Sequence, residues 1–137
     1  MMTESASDYE ARTLMPAQEA TILIVDDDRL HLKLYTWILQ AEGYKCESAL
    51  VQSTSVDLPS DTTVDLVLLD YRLSSSLSPL DVIEQLKSKF PAAPIVILSE
   101  MQWMPDDVRS HAQAFINKGD PKRLVETING IVQGNAR

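Results

Sequence analysis

Asp26, Asp27 and Asp28 stand together directly after the apolar run 22–25, Asp70 closes a second such run, Ser99 a third, and Lys118 follows a short fourth. Carboxylates gathered within a few ångströms repel, and each raises the other's pKa unless a cation neutralises them. Mg²⁺ suits such a group, since it takes oxygen ligands, keeps several waters and is commonly held by one or two carboxylates plus phosphate. Asp70 can then supply an oxygen nucleophile to a phosphoryl group. Lys118 offsets charge on the phosphoryl oxygens, and Ser99 hydrogen-bonds the group once it is attached.

These side chains converge only if the runs are neighbouring strands. Residues 21–25 form a β-branched-rich run of the kind buried on both faces of a parallel sheet, and 64–69 and 95–98 repeat it. Residues 44–49 predict a half-buried strand and 114–117 a short last one. Asp28 can cap a first helix that carries Leu30, Leu34 and Ile38 inward and stops at Gly43, which leaves Leu32 off the inner stripe. Residues 79–90 predict a helix with Leu80, Ile83 and Leu86 inward, and Asp120-Pro121 starts one with Leu124, Ile128 and Ile131 inward. Ser53, Thr54, Ser55, Pro59, Ser60, Thr62 and Thr63 make any helix between the second and third strands weak. The alternation predicts an α/β, doubly wound, five-stranded parallel sheet with right-handed crossovers. In strand order 2-1-3-4-5 a ligand site lies outside the carboxyl ends of strands one and three, where the aspartates fall.

Composition narrows the function classes. With 137 residues the chain fits one domain, read as 21–137, preceded by a mobile tail over 1–20 that lacks hydrophobic periodicity. A net charge of −8 disfavours direct nucleic-acid binding. No run approaches the ~18 apolar residues of a membrane span, and the single cysteine, Cys46, excludes an internal disulfide framework, so a cytoplasmic setting is expected. Cys46 is expected to be a small core residue, and Trp37 and Trp103 to pack. His31 and His111 are read as solvated histidines without metal-ligand partners.

Residues 22–28, 64–70, 94–99 and 115–118, in this order and at these spacings, resemble response regulator receiver domains of two-component phosphorelay signalling. The resemblance covers 21 to about 133 and implies a flavodoxin-like receiver fold. It maps Asp26 and Asp27 onto the metal-binding acidic pair, Asp70 onto the phosphoacceptor, Ser99 onto the switch hydroxyl, Phe115 onto the switch aromatic and Lys118 onto the phosphate-pairing lysine. The Arg72 position implies a backbone carbonyl ligand for Mg²⁺. As a receiver, the protein is expected to catalyse only its own phosphorylation and dephosphorylation. The implied donor is a histidine kinase or histidine phosphotransfer protein that docks near the first helix and the loop after Lys118, with an exposed Leu32 as a candidate contact.

Several positions depart from the family pattern. Lys118-Gly119 stands where the family usually has Lys-Pro, Glu100 where a small residue is common, and the loop after Asp70 is about one residue longer. Ser99 and Lys118 stand 19 positions apart, about one helical turn short of the family spacing, which predicts a shortened helix four of about two turns starting at Met104-Pro105. That shortening trims the face through which many receivers dimerise, so a monomer that signals through an unidentified protein target is expected. Read as it stands, the chain is expected to be a stand-alone receiver. A rival reading is a phosphatase of the haloacid dehalogenase type, which Asp26-x-Asp28 fits but Leu30, in place of a hydroxyl, does not.

Overall fold

The computed structural model describes residues 20–52, 55–71, 77–100 and 103–135. Its elements run β1 (Thr21–Asp26), α1 (Arg29–Ala41), β2 (Lys45–Leu50), β3 (Leu66–Asp70), α2 (Pro79–Lys89), β4 (Ile95–Ser99), α3 (Asp106–Arg109), β5 (Ala114–Asn117) and α4 (Pro121–Asn135). All neighbouring strands pair in parallel in the order β2-β1-β3-β4-β5, as the sequence predicts.

The continuous apolar runs explain the centre of the sheet. Every residue of β3 and β4 is buried, because helices lie on both faces and no side of these strands meets water. One core layer joins α1 and α4 to the sheet through Ile22, Ile24, Leu39, Leu68, Leu124 and Ile128. The other joins α2 through Leu23, Leu69, Ile83, Leu86 and Ile97. Ala20, expected in the tail, is fully buried in the first layer, so the fold starts one residue earlier than predicted. Residues 1–19 of the expected tail lie outside the described residues.

Local capping places the helix starts. Asp28 caps α1 by accepting the Leu30 N–H at 2.8 Å. Ser78 and Asp81 form a reciprocal capping box on α2, with the Asp81 N–H donating to Ser78 Oγ at 3.1 Å and the Ser78 N–H to Asp81 Oδ2 at 3.2 Å. Asp120 accepts the Arg123 N–H at 3.0 Å at the head of α4. Gly43 follows α1 at φ 99°, a left-handed backbone that glycine adopts without a Cβ clash.

Three expectations about helices are corrected. The inner face of α1 carries Leu32, Tyr35 and Leu39, whereas Leu30 is 73% and Leu34 46% exposed. Leucines occur on more than one face of this helix, and contact with β1 and β2 selects the stripe that hydrophobicity alone leaves ambiguous. Between β2 and β3 the described residues hold no helix, only an antiparallel bridge from Val51 to Val56. The fourth expected helix is shorter still than predicted: α3 is a single turn with Pro105 at its N-cap position and no side-chain cap, and with Val108 turned into the core. Trp37 and Trp103, expected to pack, are both exposed.

Candidate functional site

The described residues bury few polar side chains: Asp26, Asp70 and Ser99, each ending a strand at the carboxyl edge of the sheet. Water is a poor substitute partner at such depth, so buried charge here must be met by other charge. Lys118 supplies part of it, with Nζ 2.8 Å from Asp70 Oδ1 and the side chain 10% exposed. The root of that lysine is tied to β4, since its N–H donates to the Ser99 carbonyl at 2.9 Å. Asn117 Oδ1 accepts the Gly119 N–H at 2.9 Å, so a side chain holds the turn where the family has proline. The described residues contain no cis peptide bond.

Asp26 records the surplus of negative charge. Burial first, then repulsion from Asp70 and a hydrogen bond shared with it, push its carboxyl up to about 8, against the lowering effects of the Asp28 N–H and Lys118. The Asp28 N–H donates to Asp26 Oδ1 at 3.0 Å and orients the group. One ammonium does not neutralise two buried carboxylates. A divalent cation does, and the oxygen donors present suit Mg²⁺.

Of the residues singled out from sequence, Asp26, Asp70, Ser99 and Lys118 are brought to one edge of the sheet. Asp27 is partly exposed just after β1 and stands outside the group of potential ligand atoms that lie within 4.8 Å of one another. Phe115 is half-buried on β5 against the core layer of α2. Arg72 lies outside the described residues.

His31 was missed by sequence reasoning and belongs to the site. Its Nδ1 lies 3.4 Å from Asp26 Oδ2 and its Nε2 3.8 Å from Asp28 Oδ2, which corrects its reading as a solvated histidine without partners. The available signal was position: three residues after the cap Asp28, the first turn of α1 swings it back over the end of β1.

Residues 22–129 match the family model for the response regulator receiver domain. The chain belongs to this family. The receiver is 27% identical over 114 residues to the polar-differentiation response regulator DivK of Brucella ovis, covering 79% of this chain and 92% of DivK. It is 29% identical over 91 residues to the probable transcriptional regulatory protein TcrX of Mycobacterium tuberculosis, covering 66% of this chain and 38% of TcrX. It thus spans only part of some curated relatives, and 28% of the length of GlrR of Escherichia coli. A CheY-like receiver structure from Methanospirillum hungatei superposes with a TM-score of 0.68 at 23% identity, covering 84% of this chain and 94% of that one. TrrA from Thermotoga maritima, in complex with Mg²⁺-BeF, does so at 0.65 and 23% identity, covering 82% of this chain and 98% of TrrA. The receiver fold and a role in two-component signalling follow from membership. No helix among the described residues is long and apolar enough to cross a membrane.

Proposed function

We propose that Asp70 is the phosphoacceptor of a Mg²⁺-dependent switch, charged by a phosphohistidine on a histidine kinase or histidine phosphotransfer protein. The observation that carries this is Lys118 Nζ at 2.8 Å from Asp70 Oδ1, beside the buried Asp26 at the carboxyl edge of the sheet. A carboxylate oxygen of Asp70 attacks phosphorus in line, the P–N bond breaks, its electron pair returns to the donor imidazole, and an acyl phosphate forms on Asp70. Asp26 and Asp27, with the Arg72 backbone carbonyl implied by the family, would hold Mg²⁺, which when bound neutralises charge on the phosphoryl oxygens. Lys118 pairs with those oxygens, Ser99 hydrogen-bonds them, and Phe115 follows Ser99 as the switch aromatic.

The surface of α1 supports a helical donor. Leu30, Leu34 and Trp37 recur at i, i+4 and i+7 and are all exposed, forming an apolar stripe that begins at the turn beside Asp26. This stripe replaces Leu32, which the structure buries, as the docking contact. The phosphorylated receiver would then act through another protein.

Acetyl phosphate with Mg²⁺, followed by intact mass, tests the assignment. A single phosphoryl adduct that Asp70→Asn removes is expected, whereas turnover of unrelated phosphomonoesters without an adduct favours the phosphatase reading. An Asp70→Asn protein that still gains the group at the wild-type rate overturns the proposal.

A further inference from the structure

We propose that His31 is a metal ligand of this site beside Asp26 and Asp70, and that it shifts the site's preference from Mg²⁺ towards borderline ions such as Co²⁺ and Zn²⁺. The inference rests on the reading of this edge as a divalent-cation site and adds a nitrogen donor to it. One ligand atom from each of Asp26, His31 and Asp70 lies within 4.8 Å of the other two. Donors sharing one ion at bond lengths near 2.1 Å stand about 3.0 Å apart at right angles and at most ~4.2 Å apart when opposite, so the site closes by up to about 1–2 Å to bring all three onto one ion.

The surroundings of the ring point the same way. Nδ1 of His31 is shut off from solvent and has no hydrogen-bond partner among the described residues, although it lies 3.4 Å from Asp26 Oδ2. A neutral imidazole that turns its lone pair to a carboxylate oxygen is repelled unless a proton or a metal cation lies between them, and a metal takes the place of that proton. Nε2 faces Asp28 Oδ2 at 3.8 Å, while the other Asp28 oxygen is fixed by the Leu30 N–H. A tautomer protonated at Nε2 would point its hydrogen towards Asp28, which stands 3.8 Å away and has to come closer to accept it, and would leave the Nδ1 lone pair for the metal. Closing that gap when metal binds gives the carboxylate–histidine–metal order by which metalloproteins set a ligand's tautomer. Oxygen donors alone suit Mg²⁺, and imidazole adds affinity for Co²⁺, Ni²⁺ and Zn²⁺.

The test uses the full chain and needs no phosphorylation. Co²⁺ and Mg²⁺ are titrated separately by calorimetry, and the Co²⁺-loaded protein is inspected by proton NMR for a far-shifted, solvent-exchangeable imidazole N–H. His31 and the exposed His111 are the protein's two histidines, so His111→Ala is the control. One such resonance is expected in the wild type and in His111→Ala, and none in His31→Ala. His31→Ala is also expected to lose about tenfold or more in Co²⁺ affinity, since even outer-sphere partners of a ligand are worth that much, while Mg²⁺ affinity changes less than about twofold. An unchanged ratio of Co²⁺ to Mg²⁺ affinity in His31→Ala, or a Co²⁺ adduct without the resonance, overturns the role of His31 and leaves the cation site standing. A wild type that binds neither ion overturns both.

Discussion

Lys118 Nζ and Asp70 Oδ1 meet at 2.8 Å although Lys118 follows β5 and Asp70 ends β3, with β4 between the two strands. The lysine is thus the countercharge of the acidic pocket before any phosphoryl group arrives. We expect Lys118→Met to destabilise the metal-free protein by about 3 kcal/mol, because it leaves the buried Asp70 carboxylate without its ammonium. Urea unfolding at neutral pH measures this, and a midpoint equal to the wild type's contradicts it.

Asp70→Asn acts in the opposite sense. Repulsion between Asp70 and Asp26 is one of the causes holding the Asp26 carboxyl high, and the amide removes it while keeping the side-chain size. The metal-free variant should gain about 1 kcal/mol of stability and lose the phosphoryl adduct. Added Mg²⁺ should stabilise it less than it stabilises the wild type, as parallel thermal melts will show.

Residues of α1 separate docking from packing. Leu34→Glu keeps the inner face intact, so transfer from a phosphohistidine donor should slow about tenfold while acetyl phosphate labelling stays at the wild-type rate. Equal behaviour with both donors removes the stripe from the interface. Leu32→Ala should instead cost about 2–4 kcal/mol of stability, because Leu32 is a buried core residue.

Tyr44 sets an alkaline limit. Its hydroxyl donates to Asn129 Oδ1 on α4, and burial, then the nearby Glu42, push its pKa up to about 12 from the ordinary 10.0. The unfolded phenol ionises first, so the folded state holds the extra proton and stability falls as pH rises from 10 through about 12. Tyr44→Phe should lose about 1 kcal/mol at neutral pH with the hydrogen bond, and show a shallower fall in urea midpoint above pH 10.

The single turn of α3 leaves little helical surface beside β5 for a stable dimer, which needs roughly 800 Å² per partner. Sedimentation velocity with beryllofluoride and Mg²⁺ should therefore show a monomer. Trp103, exposed and just beyond Ser99 and Glu100, should change fluorescence under the same conditions in a Trp37→Phe background. A dimer at micromolar concentration that depends on beryllofluoride contradicts the first outcome, and unchanged emission the second.

The sequence alone determined the strands and their chemistry-bearing ends. Runs such as 66–69 and 95–98 are short, apolar without interruption and bounded by turn residues, the pattern of a strand covered on both faces, so Asp70 and Ser99 were already placed at one edge. Asp26 and Lys118 followed from the same reasoning on β1 and β5. Tertiary structure decided which face of α1 goes inward. Leu30 and Leu34 are as apolar as Leu32 and Leu39, and the choice was made by the sheet against which the helix lies. It also decided the place of His31, because the direction of a side chain in a first helical turn depends on how the helix leaves its strand. The segment between β2 and β3, whose described residues hold no helix, and the one-turn α3 sit where serine, threonine and proline provide little local preference, and there contacts with the core set the chain path.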